Sequence, residues 1–371
     1  MKISIITVCL NSEKTIEQTI QSVINQDDRD CEYIIVDGGS TDKTLEIIEK
    51  YRNHITRIIS GPDRGIYDAM NKGIASSCGD IVGIINSDDW YEPGTFDMVR
   101  RCFQESDAEA VYGRMNLIYE DGRTEALIPS DIEKMRYEME IPHSTVFLKK
   151  EIYEKYGPFR LEYHIAADYE FILKLYTKGV RFAYLDQTLA NFRMSGVSVQ
   201  QGETCIKETL MAARKYLRYA PLDKRASVKN ILFHRKQALY FENVLKNLPG
   251  KLYDVLLEKE GVGLHDEIAI FGAGNWGKLV HDILKQRGLR ISFFIDSDAE
   301  KRGITENGTP VLEPEALKAF CGVLLLMVRE SSYEILLQVE KIKNPAVYCI
   351  TWEDMINELV WSSSWEKFVS R

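Results

Sequence analysis

No stretch of this sequence approaches the roughly 20 apolar residues that a bilayer-crossing helix needs, so any membrane role would be peripheral. Paired cysteines are missing as well. The seven present (Cys9, Cys31, Cys78, Cys102, Cys205, Cys321, Cys349) are odd in number and scattered, and none forms a C-x-x-C pair. That fits free thiols in a reducing cytosol better than a disulfide framework or zinc site. Positive charge is not in excess: 47 Lys and Arg stand against 56 Asp and Glu, a net charge of -9, which argues against a nucleic-acid binder. The opening Met1-Lys2-Ile3-Ser4-Ile5-Ile6 reads as a strand start and not as a secretory signal, because its apolar run is short and lacks a small-residue cleavage site.

What remains is an ordinary globular composition, 45% apolar and 28% charged, in a chain of 371 residues with room for two or three domains. Residues 1 to about 95 alternate strand and helix. Ile3 to Val8 is a strand, and Asn11 or Ser12 is expected to cap a helix carrying Ile16, Ile20, Val23 and Ile24. Tyr33 to Val36 is a second strand, ending at Asp37-Gly38-Gly39-Ser40, and Ser40 or Thr41 is expected to open the next helix. A strand over Arg57 to Ser60, a helix near Tyr67 to Ala75 and the buried strand Ile81 to Ile85 follow. Such alternation predicts an α/β fold with a parallel sheet and right-handed crossovers. Ligands bind beyond the carboxyl ends of such strands. Thr7, Asp37 and the pair Asp88-Asp89 are expected at those ends. Converging carboxylates call for a cation, a hydroxyl-rich ligand or both, and a nucleotide sugar with a metal supplies both.

Farther on, Ala110 to Gly113 and Met115 to Tyr119 read as strands before an Asp121-Gly122 turn, and His143 to Leu148 as another strand. Tyr163 to Lys178 reads as a loop entering a helix, with Asp168 near its start. Residues 199 to about 260 predict two or three amphipathic helices broken at Pro221 and Pro249-Gly250. Lys and Arg outnumber Asp and Glu there by twelve to seven, which fits a solvated face or contact with anionic lipid headgroups. From 266 the pattern strand, Gly272-x-Gly274-x-x-Gly277, helix, strand, Asp296 predicts a Rossmann-like unit with a second nucleotide site, or a module kept for packing. Trp361 and Trp365 suggest a docking helix.

Five pieces in order resemble family 2 glycosyltransferases with the GT-A fold: Ile5 to Val8, Ile35 to Asp42, Pro62 to Gly73, Asn86 to Asp89 and Ala166 to Glu170. The resemblance is closest to bacterial enzymes of surface-polysaccharide synthesis. It implies domains over 1–198 (GT-A), 199–265 (amphipathic helical linker) and 266–371 (Rossmann-like). It implies that Thr7 and Asp37 hold the donor's base and ribose. Asp68 would lie on the nucleotide side, Asp88 would contact ribose or metal, Asp89 would ligate Mg2+ or Mn2+, and Asp168 would be the general base. His143 is a candidate acceptor or phosphate contact, or a structural histidine.

The implied reaction is inverting, non-processive transfer of one sugar from a nucleotide-diphosphate donor, a UDP-sugar foremost. The acceptor would be a glycan or a polyprenyl-pyrophosphate-linked molecule. The location would be cytoplasmic, with peripheral membrane contact and homo-oligomerisation left open. Two departures stand out. Many relatives have Asp-Asp-Gly-Ser where this chain has Asp37-Gly38-Gly39-Ser40, and the Gln-x-x-Arg-Trp signature of processive members is absent. Asn191 to Ser198 resembles the family's closing loop. The rival reading is a nucleotide-sugar-binding or NAD-dependent sugar-modifying protein centred on the C-terminal unit.

Overall fold

The computed structural model describes residues 1–26, 30–195, 201–263, 265–328 and 332–360. The chain forms two compact units, one ending at Leu232 and one beginning at Phe233. The stretch 199–265, expected as a linker, is divided between them, and Trp361, Trp365 and residues 196–198 of the expected closing loop lie outside the described residues.

In the first unit the strands are Ile3–Cys9 (β1), Cys31–Asp37 (β2), Arg57–Ser60 (β3), Ile81–Asn86 (β4), Trp90–Tyr91 (β5), Ala110–Ile118 (β6), Thr124–Leu127 (β7), Phe147–Lys149 (β8) and Phe182–Arg193 (β9). They form one sheet in the order β3-β2-β1-β4-β8-β6-β9-β5, with β7 paired to β6. The first four strands are parallel, as the alternating pattern predicts. β8 pairs antiparallel with both β4 and β6. β1 is buried at all seven positions, because helices cover both faces of a parallel sheet.

The helices are Ile16–Ile24 (α1), Thr44–Lys50 (α2), Ile66–Ser76 (α3), Thr95–Glu105 (α4), Lys150–Tyr156 (α5), Ala167–Thr177 (α6) and Gly202–Tyr216 (α7). In α1, Ile16, Ile20 and Val23 are buried at helical spacing against Ile3, Ile5 and Tyr33.

Four local expectations are corrected. Helix α1 starts after Thr15, not at Asn11 or Ser12. The Ser12 carbonyl accepts the Thr15 and Ile16 N–H groups, while Asn11 takes a left-handed φ of 51° and its side chain accepts the Thr41 N–H. Helix α2 starts at Thr44 because Ser40 is drawn into a turn around Asp37 and Asp42 accepts the Thr44 N–H. Residues 110–118 are one strand whose register against β9 shifts at Gly113 and Arg114, not two. His143–Thr145 is a 3-10 turn, and only Phe147–Lys149 reaches the sheet.

The helix Leu222–Asn247 (α8) contains the division between units, and Pro249–Asp254 (α9) follows with Pro249 in its first turn, where no N–H is needed. The second unit has strands Glu267–Phe271 (β10), Arg290–Ile295 (β11), Thr305–Glu306 (β12), Thr309–Leu312 (β13), Gly322–Leu326 (β14) and Val347–Thr351 (β15). Their order is β12-β13-β11-β10-β14-β15, parallel except for β12 with β13. Helices Asn275–Gln286 (α10), Ser332–Ile342 (α11) and Trp352–Val360 (α12) complete it. One side of this sheet packs on Trp276, Phe241 and Trp352. Among the described residues no helix is long and apolar enough to cross a membrane.

Candidate active site

β4 delivers Asn86-Ser87-Asp88-Asp89 to the carboxyl edge of the parallel strands. The two carboxylates differ sharply. Asp89 has no exposed surface. Its Oδ2 accepts the Ser144 hydroxyl at 2.9 Å and its Oδ1 accepts the Arg193 N–H at 3.3 Å. Burial, then the neighbouring Asp88, pushes its carboxyl well above the ordinary range. Asp88 is half-buried, and among the described residues no other side chain bonds its carboxylate. Burial raises it too, against the pull of the Arg193 guanidinium. Two further polar atoms here are buried without a partner, Asn86 Oδ1 and Arg193 Nε. Asp89, the expected metal ligand, is therefore enclosed by protein donors. Among the described residues, the oxygens here that no protein side chain bonds are those of Asp88 and Asn86 Oδ1.

Arg193 reaches this place because β9 pairs with β5, setting Asn191 opposite Trp90. Its guanidinium lies 4.9 Å over the Trp90 ring and bonds Gln18.

At the end of β2, Asp37 is fully buried. Its carboxylate accepts the Gly39 N–H at 3.1 Å, the Ser40 N–H at 3.2 Å and the Ser60 hydroxyl at 2.7 Å. Gly38 leaves room for Asp63: a Cβ added at 38 would lie 2.5 Å from Asp63 Oδ2. Asp37, Asp42 and Asp63 all raise the buried Cys9 thiol, after burial itself, so these carboxylates converge on the end of β1. Thr7 does not join them. It is wholly buried, with its hydroxyl 3.1 Å from the Tyr33 hydroxyl, because its position in the strand alternation points it into the core. Asp68 is tied to Arg64 at 3.2 Å and Lys72 at 3.1 Å. Burial opposes its ionisation, but the Arg64 N–H and both cations hold it below the usual range.

Asp168 stands in the first turn of α6. Its Oδ1 accepts the Tyr67 hydroxyl of α3 at 2.9 Å, and the Ile165 carbonyl lies 2.6 Å from the same hydroxyl. His143 is half-buried, edge-on to Phe159 at 6.0 Å. Burial holds its imidazole below the ordinary value, while Asp168 pulls the other way. The turn His143–Thr145 thus links the two ends of the site: His143 feels Asp168 and the adjacent Ser144 bonds Asp89.

In the second unit Gly272 adopts φ 102°, and a Cβ at Gly277 would lie 1.8 Å from the Gly272 carbonyl oxygen, so the glycine turn is tightly closed. Gly274 is the N-cap of α10, with no side chain bonding that end. Asp296, expected to hold ribose, instead accepts the Ala273 and Asp298 N–H groups at 3.0 Å each, with Lys301 at 3.4 Å.

The sequence profile described as glycosyl transferase family 2 matches residues 4–164, and that of the PglD N-terminal domain matches 267–321. A glycosyltransferase of uncharacterised role from Mycobacterium tuberculosis is 31% identical over 180 residues, 46% of this chain and 68% of that protein. The chain belongs to glycosyl transferase family 2. It is a glycosyltransferase. A PGL/p-HBAD biosynthesis glycosyltransferase of Mycobacterium bovis is 25% identical over 235 residues, 62% of this chain and 88% of that protein. Among solved structures, S. aureus TarS has a TM-score of 0.51 at 21% identity, covering 65% of this chain but 47% of TarS, less than half its length. TarS 1–349 in complex with UDP-GlcNAc gives 0.53 at 20% identity, covering 77% of this chain and 80% of that one. The mannosyltransferase PcManGT from Pyrobaculum calidifontis, in complex with GDP-Man and Mn2+, gives 0.50 at 17% identity, covering 70% and 81%. These likenesses show the GT-A fold.

The family 2 match ends at residue 164, before Asp168, which accepts the Tyr67 hydroxyl and acts on the charge of His143. Sequence reasoning did not single out Tyr67 or Ser144, and it reached Arg193 only within the stretch Asn191 to Ser198. Tyr67 carried a usable signal, being a hydroxyl on the apolar face of α3 beside Asp68. Ser144 had none.

Proposed function

We propose that this glycosyltransferase moves one sugar, with inversion, from a nucleotide-diphosphate donor to a hydroxyl of a glycan or polyprenyl-pyrophosphate-linked acceptor. The observation that carries the reading is the half-buried Asp88 carboxylate beside Arg193, whose neighbour Asp89 is joined through Ser144 and His143 to the surroundings of Asp168. The donors named for TarS 1–349 and PcManGT support a nucleotide sugar, with UDP-sugars first.

Asp88 and Asn86 Oδ1 supply hard oxygen atoms that fit Mg2+ or Mn2+, and the orphaned state of Asn86 Oδ1 supports that fit. Among the described residues no group of three His, Cys, Asp or Glu forms a protein-only metal site, which suits a cation shared with a diphosphate. When bound, such a cation offsets the charge growing on the leaving diphosphate. Asp88 would hold it, in place of the Asp89 expected from the resemblance. Asp89 orders Ser144 and the Arg193 backbone, and the Arg193 guanidinium faces the diphosphate. Asp37 organises the turn against which the nucleoside lies, and Asp63 supplies the second acid missing at position 38.

Asp168 takes the proton of the attacking hydroxyl, a role typically contributing roughly 10²–10⁴-fold. The oxygen attacks opposite the leaving group, so the anomeric centre inverts. The lack of Gln-x-x-Arg-Trp supports release after one addition. Assaying nucleoside diphosphate release from UDP-GlcNAc, UDP-glucose, UDP-galactose and GDP-mannose, with and without Mn2+, tests the reading. Metal-stimulated release from at least one is expected, and none from any would contradict it.

Exposed Met211, Tyr219 and Leu222 (80% exposed) lie among Arg214 and Arg218, which supports peripheral contact with an anionic membrane. Salt-sensitive sedimentation with phosphatidylglycerol vesicles is expected, and its absence would contradict the contact. The closed glycine turn of the second unit supports a separate nucleotide site there. UDP binding that persists in Asp88→Ala is the expected sign, and complete loss would rule it out.

A further inference from the structure

The approach to α6 carries a contact that the site as described does not use. Residues 164–166 enter the helix with three backbone N–H groups pointing away from any strand or helix ladder. One side chain takes all three. The Glu208 carboxylate, on α7, accepts the His164 N–H at 2.8 Å, the Ile165 N–H at 2.8 Å and the Ala166 N–H at 2.9 Å. The His164 ring Nδ1 lies 3.4 Å from the same group. Glu208 is 8% exposed. Burial penalises its charge, but the three N–H groups outweigh that and keep the carboxyl below the usual range. Bonds from N–H to a charged acceptor are the stronger kind.

The same short segment is held from its other side. The Tyr67 hydroxyl of α3 reaches the Ile165 carbonyl at 2.6 Å and Asp168 at 2.9 Å. The Ile165 residue is thus gripped at its N–H by α7 and at its carbonyl by α3. Asp168 follows within two residues of Ala166, in the first turn of a helix with no capping side chain of its own. Three consecutive N–H groups just ahead of Asp168 are thus held by one carboxylate. Helix α7 also sets Cys205 close enough to feel the Asp168 charge. Glu208 is buried on α7 one and two turns before the buried Ala212 and Tyr216.

We infer that Glu208 is a positioning residue that fixes Asp168 for proton abstraction by clamping the backbone of residues 164–166. This rests on the proposed role of Asp168 as base. Glu208 touches no reacting atom in this account. Its effect passes through the segment it holds, and displacement of a reacting group by about 1 Å can cost up to about 10²-fold.

The test uses the full chain and nucleoside diphosphate release, with Mn2+, from whichever of UDP-GlcNAc, UDP-glucose, UDP-galactose and GDP-mannose reacts fastest. Glu208→Gln keeps the shape but replaces one acceptor oxygen with an NH2 group facing the backbone donors. We expect kcat to fall roughly tenfold or more, with the donor KM within about twofold. In an Asp168→Asn background, Glu208→Gln should cause no further loss, since the group it positions is already disabled. Glu208→Asp, which keeps the charge but is one methylene short, should give an intermediate kcat, and it carries the test if the Gln variant does not fold. A wild-type kcat in the Gln and Asp variants, or losses that multiply with Asp168→Asn, would overturn the positioning role. Near-normal release by Asp168→Asn alone would instead overturn the base assignment.

Discussion

The Tyr67 hydroxyl lies 2.9 Å from Asp168 Oδ1, joining a helix of the parallel half of the sheet to the helix that carries the candidate base. Two acceptors share its one proton, Asp168 and the Ile165 carbonyl. The bond orients the carboxylate while leaving its second oxygen for an incoming hydroxyl. Tyr67→Phe keeps the ring against Phe159 and removes only that bond. Donor release should fall about tenfold in kcat, and stability by about 1 kcal/mol, the usual worth of one hydrogen bond. Steady-state kinetics and thermal unfolding check both. Unchanged kcat would remove Tyr67 from the site.

Asp88 and Asp89 should separate cleanly on mutation. Asp88→Ala removes the half-buried carboxylate and should abolish the Mn2+-dependent rise in melting temperature seen with UDP, while the metal-free melt stays near wild type. Asp89→Ala strands the Ser144 hydroxyl and the Arg193 N–H, leaving buried donors unpaired at about 1–3 kcal/mol. Its metal-free melt should drop. The reverse pattern would return the metal to Asp89.

The pair also makes stability depend on pH. The Asp89 carboxyl is held above its unfolded value by burial and by Asp88. Between the two values the folded chain binds the extra proton, so this contribution weakens as pH rises from about 4 through the folded value. A divalent cation on the adjacent Asp88 would offset the Asp88 charge that helps raise Asp89. Mn2+ should therefore raise the melting temperature more at about pH 8 than at about pH 5.5. An equal rise at both would contradict the coupling.

The parallel half of the first unit was legible because its strands are short apolar runs separated by helices with apolar residues every three or four positions. The strand Arg57–Ser60 matches its expected bounds. Helix starts were less legible: Ser12 and Ser40 look like caps, but each is engaged by a long-range partner, Ser12 by Thr44 and Ser40 by the Asn11 N–H. The segment His143–Leu148 has a strand's composition, yet only its last part reaches β4 and β6. Its first part bends so that Ser144 can meet Asp89. Arg193 and Glu208 act across 104 and about 42 residues of chain, and no local period reports such contacts. Glu208 did leave one trace, a charge on an otherwise apolar stripe of α7.

Gly38 and Asp63 form a second separable pair. Asp63 fills the space that a side chain at 38 would need. Gly38→Asp alone forces two carboxylates together and should destabilise the protein by about 1–3 kcal/mol, as overpacking does. Adding Asp63→Gly should restore both stability and UDP affinity. Calorimetric titration checks the second. A tolerated Gly38→Asp, or a double variant still unable to bind UDP, would refute the exchange.

The most direct measurement is a crystal structure of the protein with UDP and Mg2+. The account predicts the ion at about 2.1 Å from an Asp88 oxygen, bridging to the diphosphate, with Asp168 facing the outer phosphate across the His143–Thr145 turn. An ion ligated elsewhere, or a diphosphate bound with Asp168 turned away from it, would contradict the account.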